Sequence, residues 1–277
     1  MMREIGDEIQ STTRALRHNT KTLKVLDLCM APGGYTASAL KYNSAAAAYG
    51  ITLPPDEGGH ELLLLHPQSQ VLFLDITMLA AEFGVEAPPS THPDYAKFLN
   101  TRPYIEHQFQ LVFCDGQVLR THRRGEYREP REALRLTVSQ LIMSLQRIRP
   151  GGTLIMLLHK IEAWDTIELL HIFSSFSAIE LFKPERKHAA RSSFYLIARN
   201  VQPDIEPARL AVNSWKQAWQ QATFGGDDGT GGPRLLVDDN HIHMVLDQFG
   251  DRFVELARPI WEIQTRALSG MKFMTSG

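Results

Sequence analysis

Three charged side chains stand where predicted buried strands end. Asp75, Asp115 and Lys160 each end or directly follow a short apolar run. The three runs are residues 71–76, 109–114 and 153–158. Because open α/β sheets bind ligands at the carboxyl ends of their strands, we expect these side chains to meet at one sheet edge. A carboxylate and an ammonium group there could hold an acceptor hydroxyl in place and help to remove its proton.

A glycine turn between a strand and a helix predicts a ligand site at the same edge. The apolar run 23–30 leads into the turn 31–34, and the alanine-rich stretch 36–48 follows as a helix. Two adjacent glycines let the backbone approach a ligand closely, and the amides at the helix start favour negative charge. The turn lacks the G-x-G-x-x-G pattern of dinucleotide sites and the Gly-Lys-Ser/Thr of phosphate loops. Its spacing favours a nucleotide-like ligand over a purely structural turn.

The residues of this turn are more specific than its spacing. The string from Asp27 to Tyr35, Asp-Leu-Cys-Met-Ala-Pro-Gly-Gly-Tyr, resembles the first motif of the FtsJ-type methyltransferases. That family uses S-adenosylmethionine (SAM) and mostly methylates ribose 2′-hydroxyls of RNA. The resemblance spans roughly residues 1–200. It implies an α/β fold of the Rossmann-like class I methyltransferase type, with a mostly parallel central sheet and an antiparallel last strand.

The resemblance also implies which residues bind the cofactor. Leu74-Asp75-Ile76 matches the family's acid near the adenine amino group. Thr52 stands where the family has an acid for the SAM ribose, so a hydroxyl replaces a carboxylate there. The implied cofactor-binding residues are Asp27, Ala31, Pro32, Gly33, Gly34, Tyr35, Thr52, Asp75 and Asp115.

The implied catalytic residues are Asp115 and Lys160. The family uses a Lys-Asp-Lys-Glu tetrad, and Phe113-Cys114-Asp115-Gly116 matches its Asp-Gly. Lys160 follows a Gly-Gly-apolar run that resembles the one ending in a tetrad lysine. The tetrad glutamate falls on Ser193, and only Arg3 lies near the expected first lysine. No metal site is expected.

A basic segment follows Asp115 and would lie on the rim of the site. Arg120, Arg123 and Arg124 are the candidate RNA-binding residues, because guanidinium groups hold phosphates well. The segment also contains Arg128 and Arg131, and Lys183, Arg186, Lys187 and Arg191 could extend the patch. The alternative is a solvated loop whose arginines pair with Glu126, Glu129 and Glu132, and the sequence leaves both open.

Alternating strands and helices predict a parallel sheet with helices on both faces. Residues 1–202 form the predicted methyltransferase domain, and residues 203–277 a helical extension that packs on the sheet domain or on a protein partner. Trp215 and Trp219 lie four residues apart in this extension and indicate a packing contact rather than a base-stacking site. The predicted helices are 1–20, 129–149, 163–173, 208–224 and 240–268. The last of these helices is expected to bend at Gly250 and Pro259. Further predicted strands are 45–53, 178–182 and 193–199.

Composition fits a globular intracellular protein. The 277 residues are 43% hydrophobic and 22% charged, with a formal net charge of -2, so any nucleic-acid surface would have to be local. Cys29 and Cys114 both end predicted buried strands and suggest reduced thiols. The chain has no run of 18 apolar residues, and we expect no membrane association and a cytoplasmic or nuclear location.

Three functions remain open from the sequence. The first is a SAM-dependent methyltransferase acting on RNA, at a ribose 2′-hydroxyl if the family chemistry is retained. The second is a methyltransferase-fold subunit that has lost catalysis and serves as a binding or scaffold module, favoured by Ser193 and Thr52. The third is a methyltransferase for a small molecule or a protein.

Overall fold

The computed structural model describes residues 1–20, 22–233 and 237–270. The strands are β1 Leu23–Leu28, β2 Ala46–Thr52, β3 Ser69–Phe73, β4 Phe109–Cys114, β5 Ile148–His159, β6 Ala178–Phe182 and β7 Ser193–Val201. The helices are α1 Met2–Thr13, α2 Gly34–Tyr42, α3 Glu132–Arg147, α4 Trp164–Ser174, α5 Glu206–Phe224 and α6 Asp239–Ser269.

The strands form one seven-stranded sheet in the order β3-β2-β1-β4-β5-β7-β6. Neighbouring strands from β3 to β5 are parallel, and β7 runs antiparallel to both β5 and β6. The predicted methyltransferase-type sheet with an antiparallel last strand is therefore confirmed. Since β1 to β6 all point the same way, the loops after them gather at one edge.

Helices cover both faces of the sheet. On one face, α1 and α2 enclose a core that includes Ile5, Ile9 and Tyr35. On the other face, α3 to α6 pack over a larger core that includes Phe109 and Leu154. Strands β1 and β4 are almost entirely buried because they lie in the middle of the sheet with helices on each side.

The C-terminal helices pack on the same core. Trp219 of α5 is fully buried, its ring centroid lies 4.8 Å from that of Phe83, and its indole nitrogen donates to the Thr77 carbonyl oxygen at 3.0 Å. Helix α6 is continuous through Gly250 and Pro259, and buried residues such as Phe253 lie along it; a bend at either position stays a prediction. A protein partner for this region, and its separation as a domain, stay predictions.

Several boundaries differ from the sequence prediction. Helix α1 ends at Thr13, and α3 begins at Glu132 after a 3-10 helix, Glu126–Arg131, that contains Pro130. Strand β3 stops at Phe73, so Asp75 lies outside it. Asp75 instead caps a short 3-10 helix by accepting from the Thr77 amide at 2.9 Å. Among the described residues, no helix combines the length and the hydropathy needed to cross a bilayer.

Replacing Trp219 tests whether α5 is an integral part of the sheet domain. We expect Trp219→Ala to lower the free energy of unfolding by about 3–5 kcal/mol, because it removes a large buried ring and a buried hydrogen bond. Trp261→Ala, at a 37% exposed tryptophan on α6, is the matched control and should cost much less. Urea unfolding measures both, and equal losses would contradict the packing described.

Candidate functional site

A cavity of about 260 Å³ opens at the carboxyl edge of the sheet, around the ends of β1, β2 and β4. Its lining is mostly apolar side chains with a few polar groups, which is the usual composition of a small-molecule site. Six of the residues predicted from sequence line it: Ala31, Pro32, Tyr35, Thr52, Asp75 and Asp115. The glycine turn, the second strand and the Asp-Gly after β4 therefore meet as expected.

Two carboxyl groups, one buried and one half-buried, lie close together at this edge. Asp27 is 1% exposed, and its carboxylate accepts from the Thr36 hydroxyl. Burial raises the pKa of Asp27 to about 7, while the bonds from Thr36 oppose the rise. The pKa of Asp115 is raised by burial and by the nearby charge of Asp27. One carboxylate oxygen of each residue, Oδ1, is buried with no hydrogen-bond partner among the described residues.

These two carboxyl groups are close because β1 and β4 are neighbouring parallel strands. Asp27 lies opposite Phe113 and Leu28 lies opposite Cys114, so Asp115 is the first residue beyond the paired part of β4. Asp115 lines the cavity and Asp27 lies behind its wall. Two carboxylates with unsatisfied oxygens in an apolar setting favour a bound cation, because a positive charge would lower the cost of ionising both.

Gln140 of α3 fixes the turn that carries Asp115. Its side-chain oxygen accepts from the Gly116 amide at 2.9 Å, and its side-chain nitrogen donates to the Gly116 carbonyl oxygen at 3.2 Å. A Cβ atom at Gly116 would lie 2.4 Å from the sulfur of Cys29, so only glycine fits there. Sequence reasoning missed Gln140, because one polar residue in an amphipathic helix gives no signal of what it contacts.

Asp75 is held by a buried arginine rather than left free for a ligand. Its Oδ2 accepts from Arg128 at 2.9 Å, and its Oδ1 accepts from the Thr77 amide and hydroxyl. Arg128 also bonds Glu132 at 2.7 Å. Burial raises the pKa of Asp75, but Arg128 and His122 outweigh it and hold that pKa below its usual range.

This ion network explains a group of side chains with metal-ligand character. Asp75, His122 and Glu132 place ligand atoms within 4.8 Å of one another. The Arg128 guanidinium bonds both carboxylates of the group, and so already supplies the positive charge that a metal ion would bring. The arrangement therefore has a structural explanation without an ion.

Thr52 and the apolar wall complete the side of the cavity nearest β2 and β3. The Thr52 hydroxyl oxygen accepts from the Ala31 amide at 3.2 Å, which ties the end of β2 to the turn after β1. Leu53, Leu74 and Ile76 line the cavity beside it. A flat, uncharged ring system would fit among these side chains better than a charged group.

The glycine bend itself faces the protein's own side chains. A Cβ atom at Gly33 would lie 2.6 Å from Cβ of Leu64, and one at Gly34 would lie 2.5 Å from Cβ of Met2. The Leu63 amide donates to the Pro32 carbonyl oxygen at 3.1 Å, so the loop between β2 and β3 crosses over the bend. Gly33 and Gly34 do not line the cavity, and their contact with a cofactor stays a prediction.

The structure does not bring Lys160 to the cavity. Its side chain is exposed, its φ of 50° turns the chain away at the end of β5, and its amide donates to the Ser192 carbonyl oxygen at 3.1 Å. Leu157, three residues earlier on β5, lines the cavity instead. Met1 and the α1 residues Met2 and Ile5 line it as well, and no lysine side chain stands in the wall formed by the described residues.

Aromatic groups and a histidine form the cavity wall near β5 and β7. The hydroxyls of Tyr35 and Tyr195 hydrogen-bond to each other, and the Tyr35 ring stacks on Phe113 with centroids 5.8 Å apart. Ser193 pairs with His159 two positions before Tyr195 and is buried. His188 also lines the cavity, and the sequence analysis gave it no role.

The basic segment divides into free and paired arginines. Arg120 and Arg123 are exposed, and neither forms an ion pair within the described ranges. Arg124 pairs with Glu129 and also donates to the Leu119 carbonyl oxygen at 3.0 Å. Arg128 belongs to the buried network described above. The pairing expected of a solvated loop is therefore seen for Arg124 and Arg128, but not for Arg120 and Arg123.

Comparison with known proteins identifies the family. The sequence model of the FtsJ-like methyltransferases matches residues 7–201. No curated protein matches the chain. Similar solved structures include a Plasmodium falciparum protein assigned as a ribosomal RNA methyltransferase, at 18% identity over 72% of this chain and 96% of that one, TM-score 0.47. Another is human methyltransferase-like protein 13 in complex with SAH, at 13% identity over 88% of this chain and 99% of that one, TM-score 0.45.

The cofactor of this family, SAM, fits the groups that the cavity presents. SAM carries a positive sulfonium, an ammonium group and a neutral adenine ring. The unpartnered oxygen of Asp115, which lines the cavity, suits the positive charge, and Asp27 adds to the negative potential from behind the wall. The apolar wall beside Thr52 suits the ring.

The raised carboxyl pKa values predict that SAM binds more tightly as the pH rises. At low pH the native protein holds protons on Asp27 and Asp115, and a cation gains little from neutral carboxyls. Between about pH 5.5 and 7.5, where the SAM amino group stays protonated, we expect the Kd to fall by roughly tenfold. Isothermal titration calorimetry measures this change.

Two controls assign that change to the site. Asp115→Asn should flatten the pH dependence, and SAH, whose sulfur is neutral, should show a smaller change than SAM with wild-type protein. An affinity for SAM that stays constant over this pH range would mean that the two carboxyls do not face the cofactor.

Proposed function

Because the chain belongs to the FtsJ-like methyltransferase family, we propose that it is a SAM-dependent methyltransferase that modifies RNA. Bound SAM supplies the methyl group as an electrophile that is already activated by its positive charge. The protein's task is to hold the cofactor and to bring an acceptor hydroxyl in line with the methyl group. The following residues support this assignment.

Asp115 is the proposed central residue of the site. It directly follows β4, the middle strand of the sheet order, between the wall formed after β2 and β3 and the wall formed by β5 and β7. From there its carboxylate would contact the cofactor on one side and the acceptor on the other. Gln140 holds the Asp115-Gly116 turn in this position through two hydrogen bonds to Gly116.

The single observation that supports RNA as the substrate is the pair of free arginines beside the cavity. Arg120 and Arg123 lie in the loop that follows Asp115, and residues 116–119 of the same loop line the cavity. Lys160, Arg186 and Arg191 are exposed in the loops after β5 and β6, at the same sheet edge. Phosphates on either side of a bound nucleotide would meet these cations.

This edge is mixed in charge rather than uniformly basic. Glu162 and Glu185 are exposed in the same loops as Lys160 and Arg186. We therefore propose a small number of phosphate contacts that position a nucleotide, rather than a broad electrostatic surface. We propose that Lys160 is one of these phosphate contacts, because its side chain is exposed to solvent. A direct role of Lys160 in deprotonating the acceptor has no support from the cavity wall, because Lys160 is not part of it.

A specific observation favours a second candidate, a SAM-binding subunit that does not transfer methyl groups. Leu157 and Ile5 line the cavity where ammonium groups would be needed, and Ser193 stands at the position expected for the tetrad glutamate. Of the implied tetrad, Asp115 lines the cavity, while Lys160 is present in the sequence but exposed outside the wall. Such a site would keep cofactor binding while slowing chemistry on a ribose hydroxyl. Assays of binding and transfer on the same protein distinguish the two candidates.

Transfer of labelled methyl groups from SAM to RNA tests the proposed activity. We expect label in RNA pools with wild-type protein and a loss of at least about 100-fold with Asp115→Asn, since a positioned group at the reacting centre contributes on this scale. The position of the label, 2′-oxygen or base, follows from nuclease digestion. Tight SAM binding without any transfer to RNA would instead identify the binding subunit.

Charge reversal tests the proposed RNA contacts. The double variant Arg120→Glu/Arg123→Glu should bind RNA more weakly, and its log Kd against log salt should have a slope smaller by about 1.4, or about 0.7 for each lost phosphate contact. Arg209→Glu/Arg258→Glu, at exposed arginines on α5 and α6, is the matched control with the same change in net charge. Equal weakening by both pairs would show that only net charge matters.

A further inference from the structure

The geometry points to His188 as the general base that takes the proton of the acceptor, a role that rests on the proposed methyl transfer to RNA. The cavity has two ends, because Asp115, directly after the central strand β4, lies between them. Thr52 and Asp75 follow β2 and β3 on one side, and Leu157 and Tyr195 of β5 and β7 form the other. With the cofactor's ring on the β2 and β3 side, the acceptor belongs beside β5 and β7.

The acceptor end offers few groups that could accept a proton. Leu157 and Ile5 are apolar. The hydroxyls of Tyr35 and Tyr195 bond each other, and burial raises the pKa values of both, so neither ionises near neutral pH. Cys29, His60, Asp75, His122 and Glu132 also line the cavity, but none of them lies on β5, on β7 or in the loop between β6 and β7. His188 lies in that loop, beside the acceptor end.

The imidazole of His188 is free to bind an acceptor. It is half-buried, and neither ring nitrogen has a hydrogen-bond partner among the described residues. Burial lowers the pKa of His188, and Arg191 of its own turn, His159 at the end of β5 and Lys183 after β6 lower it further. The neighbouring charges Lys187 and Glu4 of α1 pair with each other at 3.7 Å, and neither is among the groups that shift this pKa. At neutral pH the imidazole is therefore uncharged and can accept a proton.

A buried lysine holds the turn that carries His188. Lys183 is 2% exposed, and its ammonium group donates to the carbonyl oxygens of Arg191 at 2.6 Å and Ser193 at 2.9 Å. The Arg191 amide donates to the His188 carbonyl oxygen at 2.9 Å, and His188 itself has a left-handed φ of 61°. An uncommon backbone conformation fixed by several bonds is typical of a residue that must point in one direction.

The same loop is joined to α1. The Glu185 amide donates to Glu8 Oε1 at 2.8 Å, so the loop between β6 and β7 is connected to the helix that also contributes Met2 and Ile5 to the cavity wall. The loop that carries His188 is therefore tied to α1 as well as held by Lys183. Its orientation depends on the fold rather than on contact with the ligand.

The chemical step balances with His188 as the base. An acceptor hydroxyl oxygen of RNA forms the new bond to the methyl carbon, and the sulfur–methyl bond breaks with its electron pair left on sulfur. The hydroxyl proton passes to the free nitrogen of the imidazole, which becomes imidazolium and later returns the proton to water. The nearby charges of Arg191 and Lys183 promote that release.

Single-turnover methyl transfer to RNA tests the role of His188. We expect His188→Gln to slow transfer by at least about 100-fold, while its Kd for SAM and its thermal unfolding midpoint stay close to those of wild type. His243→Gln, at an exposed histidine on α6, is the matched control and should transfer at the wild-type rate.

Two further readouts separate a base from a structural residue. Added imidazole should restore transfer to His188→Ala but not to Asp115→Asn. With SAM saturating at every pH, the wild-type rate should fall as the pH drops below the ordinary histidine range of about 6.5, and this fall should be absent in His188→Gln. Wild-type transfer by His188→Gln would overturn the assignment. Absence of transfer by the wild-type protein would overturn the proposed function, and the assignment with it.

Discussion

Two carboxyl groups that have no cationic partner among the described residues dominate this structure. Asp27 and Asp115 lie at the ends of the two central strands, each with one oxygen that no described group satisfies. A folded protein tolerates such groups when they serve a ligand, because an isolated buried charge is costly. The rest of the site serves this pair, through the Gln140 bonds to Gly116 and through the apolar cavity wall.

The sheet order turns this pair into a site with two distinct sides. Parallel strands β3, β2 and β1 bring Thr52 and Asp75 to one side of Asp115. The antiparallel β7 places Tyr195 and the loop before it on the other side, because β7 starts at the edge where β5 and β6 end. The antiparallel last strand therefore determines which loop reaches the acceptor, and in this chain that loop carries His188.

Sequence reasoning reached the parts of the site that are local in the chain. The string from Asp27 to Tyr35 and the Asp115-Gly116 pair are read directly from neighbouring residues, and both line or support the cavity. Lys160 shows what sequence reasoning could not reach. The apolar run before it predicts strand β5, but it does not predict which residue of that strand faces the cavity. Leu157 faces the cavity, because side chains alternate along β5 and the chain turns at Lys160. Contacts such as Asp75 with Arg128 join residues 53 positions apart and leave no local signal.

The most direct measurement is a crystal structure of the protein with sinefungin, a SAM analogue with an amine in place of the sulfonium. We expect this amine to lie within about 4 Å of the Asp115 carboxylate, at the distance of a close ion pair. The adenine should lie between Thr52 and Ile76, with His188 facing the open end. An analogue bound elsewhere, or one whose amine lies away from both Asp27 and Asp115, would contradict it.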